Sequence, residues 1–211
     1  MEEHSKNKNK KKGIIEKYNS SSDFYDIRYK AIQEEKYEII LKTYVANGNI
    51  ILDMGCGTGL FFEYITKSIK KQGERKGNYV ALDISWNMLL RFKSKVINYN
   101  HKKYALNLIL SDIEHLPFRE NIFNSIFSLT SFQNLPNIKI GIAESFRVSK
   151  NNADYKFSIL KKKIELEMLL KILKPNIKEI EVIKKENLED IIIQGKVSKN
   201  TQLKFMFYKK S

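Results

Sequence analysis

Between Ile14 and about Tyr44 the apolar side chains Ile27, Ala31, Ile32, Tyr37, Ile40 and Leu41 recur at steps of three and four residues. That is the period of one helix face, so this stretch is expected to be helical. The pattern then changes. Ile50–Leu52, Asn78–Ser85, Leu106–Ile113 and Ile122–Leu129 hold short apolar runs with the length and make-up of strands. Helical segments return between them. Ser85 or Asn87 can cap a helix ending near Tyr99, and Asn137–Lys150 and Lys161–Leu173 read as two more. Ala153–Leu160, Glu179–Lys184, Asp190–Val197 and Gln202–Tyr208 have strand character again.

Three of the apolar runs lead into a carboxylate: Asp53, Asp83 and Asp112. The first is followed by Gly55, Gly57 and Gly59 within ILDMGCGTGL, and then by the helix-like Leu60, Phe61, Phe62, Tyr64 and Ile65. Strand, tight turn and helix follow one another, and the turn lacks Cβ atoms, so a ligand can lie against the backbone. The helix N-terminus adds N–H groups and partial positive charge. A GxGxxG dinucleotide fingerprint would place its third glycine where Leu60 stands. Here it falls one residue early.

Composition narrows the classes. A chain of 211 residues fits one domain. No run approaches the ~18 apolar residues of a membrane span, and the polar N-terminus predicts no secretory signal. The single cysteine, Cys56, excludes an intramolecular disulfide and fits a reducing cytoplasm. His4, His101 and His115 are scattered, so no metal site is expected. Residues 1–12 are polar and lysine-rich and are expected to form a disordered basic arm. The net charge of +14 can mark a phosphate-binding surface. Yet 33 lysines stand against five arginines, a bias that an AT-rich genome also produces. Arginine, the preferred bidentate reader of phosphates and bases, is scarce.

The D-x-G-x-G-x-G loop resembles the first motif of class I S-adenosylmethionine-dependent methyltransferases. Three later features fall in that family's order: Asn78–Ser85 (NYVALDIS), Leu106–Ile113 (LNLILSDI) with the following H-L-P-F of His115–Phe118, and Ile122–Leu129. The likeness runs from about Asn49 to Tyr155. It implies a glycine loop (Asp53, Gly55, Cys56, Gly57, Gly59) beneath the cofactor's methionine part. Asp83 would hold the ribose hydroxyls and Ile84 would lie against the adenine. Asp112 would take the adenine amino group, and the Ile113 N–H would reach the ring. Met88 and Leu129 complete the implied cofactor set. The likeness also implies a doubly wound α/β fold with a seven-stranded, mostly parallel sheet and an antiparallel last strand. Asp190–Val197 and Gln202–Tyr208 would form its closing hairpin. Some positions depart from the pattern. Asn124 stands where the family has Asp, Asn151-Asn152-Ala153 replaces Pro-Gly-Gly, and Asp53 lies further from Asp83 than the ~20 residues usual for such sites.

The expected organisation is a basic arm (1–12) and one domain (13–211), divided into a helical cover (13–47), a cofactor core (48–160) and a closing segment (161–211). Tyr18, Tyr25, Arg28, Tyr29 and Gln33 are the substrate-side candidates, and Tyr25, Thr130 and Gln133 are candidates to orient an acceptor. Cys56 belongs to the cofactor loop, which removes the cysteine-dependent methylation of pyrimidine carbon 5. Ser128–Pro136 (SLTSFQNLP) lacks the N/D-P-P-Y/F/W signature of many amino-group methyltransferases. The charge favours a nucleic-acid acceptor, tRNA or other RNA, slightly over a small molecule or a protein. A nicotinamide oxidoreductase and a catalytically silent methyltransferase-like partner subunit are the other classes. A cytoplasmic monomer or small homo-oligomer, with no metal and no membrane contact, completes the expectation.

Overall fold

The computed structural model describes residues 2–45, 50–68, 77–97 and 104–199. Helices α1 (Glu2–Ser21) and α2 (Tyr25–Leu41) precede an alternation of strands and helices: β1 (Ile50–Met54), α3 (Leu60–Ser68), β2 (Gly77–Asp83), α4 (Trp86–Ile97), β3 (Tyr104–Leu110), β4 (Phe123–Leu129), α5 (Ile138–Val148), β5 (Ser149–Leu160) and α6 (Leu166–Leu173). Strands β6 (Ile177–Lys184) and β7 (Asp190–Val197) close the described chain.

The seven strands form one sheet in the order β3-β2-β1-β4-β5-β7-β6. Pairings from β3 across to β5 are parallel, and β7 runs antiparallel to both β5 and β6. The order reverses beside β1, where β1 pairs with both β2 and β4. Such a switch point opens a crevice at the carboxyl ends of the strands.

Successive residues of a strand face opposite sides, and the core divides accordingly. Ile51 and Phe127 pack with Phe62, Tyr79, Phe92 and Tyr104, beneath Tyr37 and Ile40 of α2. Leu52, Met54 and Ile126 face the other way, against Ile142 and Phe146 of α5 and Leu169 and Leu173 of α6. Each such side chain, fully buried, contributes roughly 1.5–3 kcal/mol.

Capping follows the expected chemistry. The Ser85 hydroxyl accepts from Met88 N at 3.2 Å at the start of α4, and Asn137 accepts from Lys139 N and Ile140 N at the start of α5. Asn152 adopts φ +62°, a left-handed conformation that asparagine tolerates well, and β5 continues through it.

Three expectations change. Residues 2–12 are not a disordered arm but the first turns of α1. The helical stretch from Ile14 breaks at Ser22–Phe24, so the cover is two helices. Lys161–Leu173 begins as a single 3-10 turn, with α6 starting at Leu166. Asp190–Val197, as β7, pairs in an antiparallel hairpin with the preceding strand β6. Gln202–Tyr208 and the helix end near Tyr99 lie outside the described residues.

Candidate functional site

The glycine turn follows β1, beside the switch point. Gly55, Gly57 and Gly59 all have positive φ, at 76°, 53° and 82°, which glycine adopts at no steric cost. Their spatial reasons differ. A Cβ on Gly55 would lie 2.5 Å from the Ser131 Cβ, and one on Gly59 would lie 2.4 Å from the Phe92 ring. One on Gly57 would meet nothing within 4 Å. Two of the glycines serve packing, and Gly57 faces open space.

That space is a cleft bordered by Gly55, Gly57, Asp83, Ile84, Met88, Asp112, Ile113, Leu129, Thr130, Ser131 and Asn134, with Lys11, Ile14, Tyr18 and Tyr25 above. Asp83 at the end of β2 accepts from Gly57 N at 2.9 Å and Ser85 N at 2.8 Å, which ties the glycine turn to the next strand. Burial pushes its carboxyl above the usual range, and the N–H groups of Ser85, Gly57 and Ile84 offset this in part. Asp112, at the end of β3, accepts from Glu114 N at 2.9 Å and from Lys11. Burial works against its charge, but these bonds outweigh it and hold its carboxyl below the usual value.

A second chamber continues from the glycine turn under α2, lined by Tyr25, Gln33, Tyr37, Asp53, Cys56, Thr58 and Leu129 among others. Asp53 is buried and accepts from Tyr79 Oη at 2.8 Å. Desolvation pushes its carboxyl up to about 7, against the Tyr79 bond. Gln33 is 5% exposed, and its Oε1 has no hydrogen-bond partner among the described residues. A buried acceptor left in this state awaits a donor.

The roof is made of two helices. Lys11 of α1 pairs with Asp112 and, at 2.8 Å, with Glu114, while Lys10 donates to Leu135 O at 2.8 Å. Tyr18 accepts from Asn134 Nδ2 at 2.8 Å, and Asn19 receives bonds from Ser85 and Asn87. Tyr18, Tyr25 and Tyr29 form a row of tilted rings, 6.5 and 4.8 Å between centroids, with the Arg28 guanidinium over Tyr29.

A sequence profile described as a methyltransferase domain matches residues 52–155. Malonyl-acyl-carrier protein O-methyltransferase of Buchnera aphidicola is 36% identical over 152 residues, 71% of this chain and 55% of that protein. A ubiquinone/menaquinone biosynthesis C-methyltransferase of Wigglesworthia glossinidia is 35% identical over 100 residues, 47% of this chain and 38% of that protein. The chain thus spans about half the length or less of these curated relatives. A solved structure of a putative S-adenosylmethionine-dependent methyltransferase from Methanococcus maripaludis superposes with a TM-score of 0.70, covering 90% of this chain and 94% of that one at 16% identity. Residues 52–155 carry a methyltransferase domain, and the fold is that of S-adenosylmethionine-dependent methyltransferases. S-adenosylmethionine is the cofactor named for the superposed protein.

The residues of this methyltransferase fit that cofactor. Asp83 and Asp112 stand at the ends of neighbouring strands on one cleft, suited to ribose hydroxyls and an adenine amino group. The unpartnered Gln33 Oε1 and the buried Asp53 carboxyl share the chamber beside the glycine turn, where a cationic amino group would satisfy both.

Most of the anticipated positions converge. Gly55, Gly57, Asp83, Ile84, Met88, Asp112, Ile113 and Leu129 border the cleft, and Asp53 and Cys56 border the second chamber. Gly59 borders neither and packs on Phe92. On the acceptor side Tyr18, Tyr25 and Gln33 line the cavities, whereas Arg28 and Tyr29 border neither. Gln133 lines neither cavity and donates to Thr130 O at 2.7 Å. Thr130 borders the cleft, but its hydroxyl donates to Asp190 at 2.8 Å and accepts from Lys36 at 2.6 Å. Its φ of +59°, rare for a β-branched residue, is held by this buried triad. Lys11, Lys36, Ser131, Asn134 and Asp190 had no local signal in the sequence. Apart from the Ser128 hydroxyl beside Ser131, their side-chain hydrogen-bond partners lie 60 to 154 residues away.

Among the described residues no helix is long and apolar enough to cross a membrane, and no group of three or more side chains could hold a metal ion.

Proposed function

We propose that this protein transfers the methyl group of S-adenosylmethionine to a small-molecule acceptor held under α2, between Tyr25 and the tip of β4. The enclosure of the cleft carries this reading. Tyr18 and Tyr25 close it from above, and Leu129 of β4 borders both the cleft and the chamber beneath α2. Lys10 and Lys11 of α1 are engaged with Leu135, Asp112 and Glu114, which withholds them from the RNA phosphates that the charge brings to mind. The relatives, a malonyl-acyl-carrier protein O-methyltransferase and a ubiquinone/menaquinone biosynthesis C-methyltransferase, support a small acceptor group over RNA.

When bound, the cofactor supplies an electrophilic methyl group on a positively charged sulfur, and displacement leaves the electron pair on that sulfur. The chain contributes placement. Asp83 and Asp112 hold the two ends of the adenosine, and the glycine turn with Asp53 and Gln33 holds the amino-acid part. Holding acceptor and methyl in line supplies effective molarities of about 10⁵–10⁸ M. Burial raises the Tyr25 hydroxyl well above its ordinary value, so it stays protonated and serves as a donor that orients an acceptor oxygen.

The test is to incubate the protein with methyl-labelled S-adenosylmethionine and separate pools of small molecules, RNA and protein. Label in the small-molecule pool is expected. Label confined to RNA would restore the nucleic-acid reading, and label confined to protein would overturn both.

A further inference from the structure

Large exposed apolar side chains gather at one place outside the cleft. Phe24 is 70% exposed and Ile27 86% exposed at the elbow between α1 and α2. Trp86 and Leu90, at 55% and 44%, lie one turn apart on the outer side of α4. The two pairs adjoin. Asp23, next to Phe24, pairs with Arg91, next to Leu90. Asn19 is bonded by Ser85 and Asn87, the residues on either side of Trp86. Lys17, Arg28, Lys30 and Lys93 are exposed around these four. The nearby acids are offset, Asp23 by Arg91 and Asp26 by Lys95. A contiguous apolar patch with a basic rim marks an interaction surface.

We propose that this elbow docks on an anionic lipid bilayer, with Phe24, Ile27, Trp86 and Leu90 entering the headgroup region and the basic rim meeting lipid phosphates. Aromatic and aliphatic anchors flanked by lysine and arginine are the chemistry of interfacial binding. The net charge of +14 complements a negative surface. RNA fits less well, because Ile27 and Leu90 cannot stack on bases, and stacking on aromatic rings is what single strands require. The elbow adjoins Tyr25, so docking brings the roof of the cleft to the membrane face, where an apolar acceptor would be drawn from. That purpose rests on the small-molecule reading above. The docking itself is tested without any acceptor.

The experiment is sedimentation of the full-length protein with phosphatidylcholine vesicles, with and without phosphatidylglycerol as half of the lipid. Trp86, the single tryptophan, serves as an internal reporter. Binding to the anionic vesicles alone is expected, with a blue shift of Trp86 emission and weakening by salt. The double variant Phe24→Ser, Ile27→Ser should lose at least about tenfold in vesicle affinity, while its calorimetric affinity for S-adenosylmethionine stays as in the wild type. No vesicle binding by the wild type would overturn the proposal. So would full binding by the double variant, which would place the contact elsewhere, or binding of poly(U) RNA in place of vesicles. Failure of these outcomes leaves cofactor binding untouched, so it is distinguishable from a failure of the methyltransferase reading.

Discussion

The two helices that roof the cleft are held in different ways. Helix α2 is anchored by Tyr37 and Ile40, at 4% and 0% exposure. Lys36, on the same face, is buried against Asp190 at 3.0 Å. From β5, the buried Lys156 donates to Ile40 O at 2.9 Å and Thr43 Oγ1 at 2.8 Å, a cation at the helix C-terminus where the helix dipole favours it. Helix α1 contributes no side chain to the buried apolar core among the described residues. It is latched by polar contacts: Lys11 with Asp112 and Glu114, Tyr18 with Asn134, and Asn19 with Ser85 and Asn87. Burial of apolar surface makes α2 part of the cooperative fold, whereas an element with few such contacts opens at lower free energy. One helix is structure and the other is cover.

Breaking the α2 anchor should have the largest effect. Asp190→Ala leaves Lys36 buried without its counter-charge and frees the Thr130 hydroxyl. Removing one partner of a buried pair costs about 3–5 kcal/mol. Urea unfolding should show a midpoint lowered accordingly. A change below about 1 kcal/mol would mean that α2 is held by its apolar face alone.

Next in size is the pH dependence set by Asp53, beneath α2. Its folded carboxyl is raised from 3.8 to about 7, chiefly by desolvation, with the Tyr79 bond opposing and Asp83 adding. An acid raised in this way gives stability that is fully present below the unfolded value, near pH 4, and lost as pH rises toward 7. Stability should therefore decline by up to a few kcal/mol across that window and then level off. Asp53→Asn should flatten the decline. S-adenosylmethionine binding between about pH 5 and 7 should release protons, seen as a buffer-dependent calorimetric heat. A profile unchanged in the variant would assign the titration to another group.

On the cofactor side, Asp83→Asn should weaken S-adenosylmethionine binding at least about tenfold, since hydrogen bonds to a charged group are worth roughly 1.5–3 kcal/mol. Asparagine keeps one of the two acceptors that tie Gly57 and Ser85 to β2, whereas alanine would keep neither. Gly57→Val is the sharper partner. Its Cβ would enter open space, so the fold should persist, at a cost of about 1–2 kcal/mol for the left-handed backbone. Calorimetry should nonetheless find binding lost. Normal binding by this variant would separate the glycine turn from the cofactor.

The comparison also explains what could be read from the sequence. The sheet, its glycine turn and Asp83 were legible because each is local: alternation sets the strand face, and the turn needs glycine within a few residues. Pairing was less legible: Glu179–Lys184 and Asp190–Val197 both have strand character, and strand character does not say which strand pairs with which. Helix α1 was illegible because nothing in MEEHSKNKNKKK offers an apolar face, and its order comes from partners as distant as Asp112 and Leu135. The Lys36–Thr130–Asp190 triad joins three segments that no spacing rule connects. It gives Thr130 a structural role where an acceptor contact was anticipated.

The smallest effect on stability, and the most direct test of the difference between the helices, is expected from Lys11→Met. Lys11 is partly exposed, at 26%, and its partners Asp112 and Glu114 each keep a backbone N–H donor, from Glu114 and Asn137, so its loss should cost no more than about 1 kcal/mol. The unfolding midpoint should barely move, in contrast to Asp190→Ala. Function should respond where stability does not. Lys11 bonds Asp112, the carboxylate proposed above to hold the adenine end of the cofactor, so removing it should loosen α1 above the cleft. Stopped-flow displacement of S-adenosylhomocysteine should then show faster dissociation and a weaker dependence on salt than in the wild type. Equal dissociation rates with an equal midpoint would mean that α1 is held by Tyr18 and Asn19 at its other end. The corresponding variant is then Asn19→Ala, read by the same displacement.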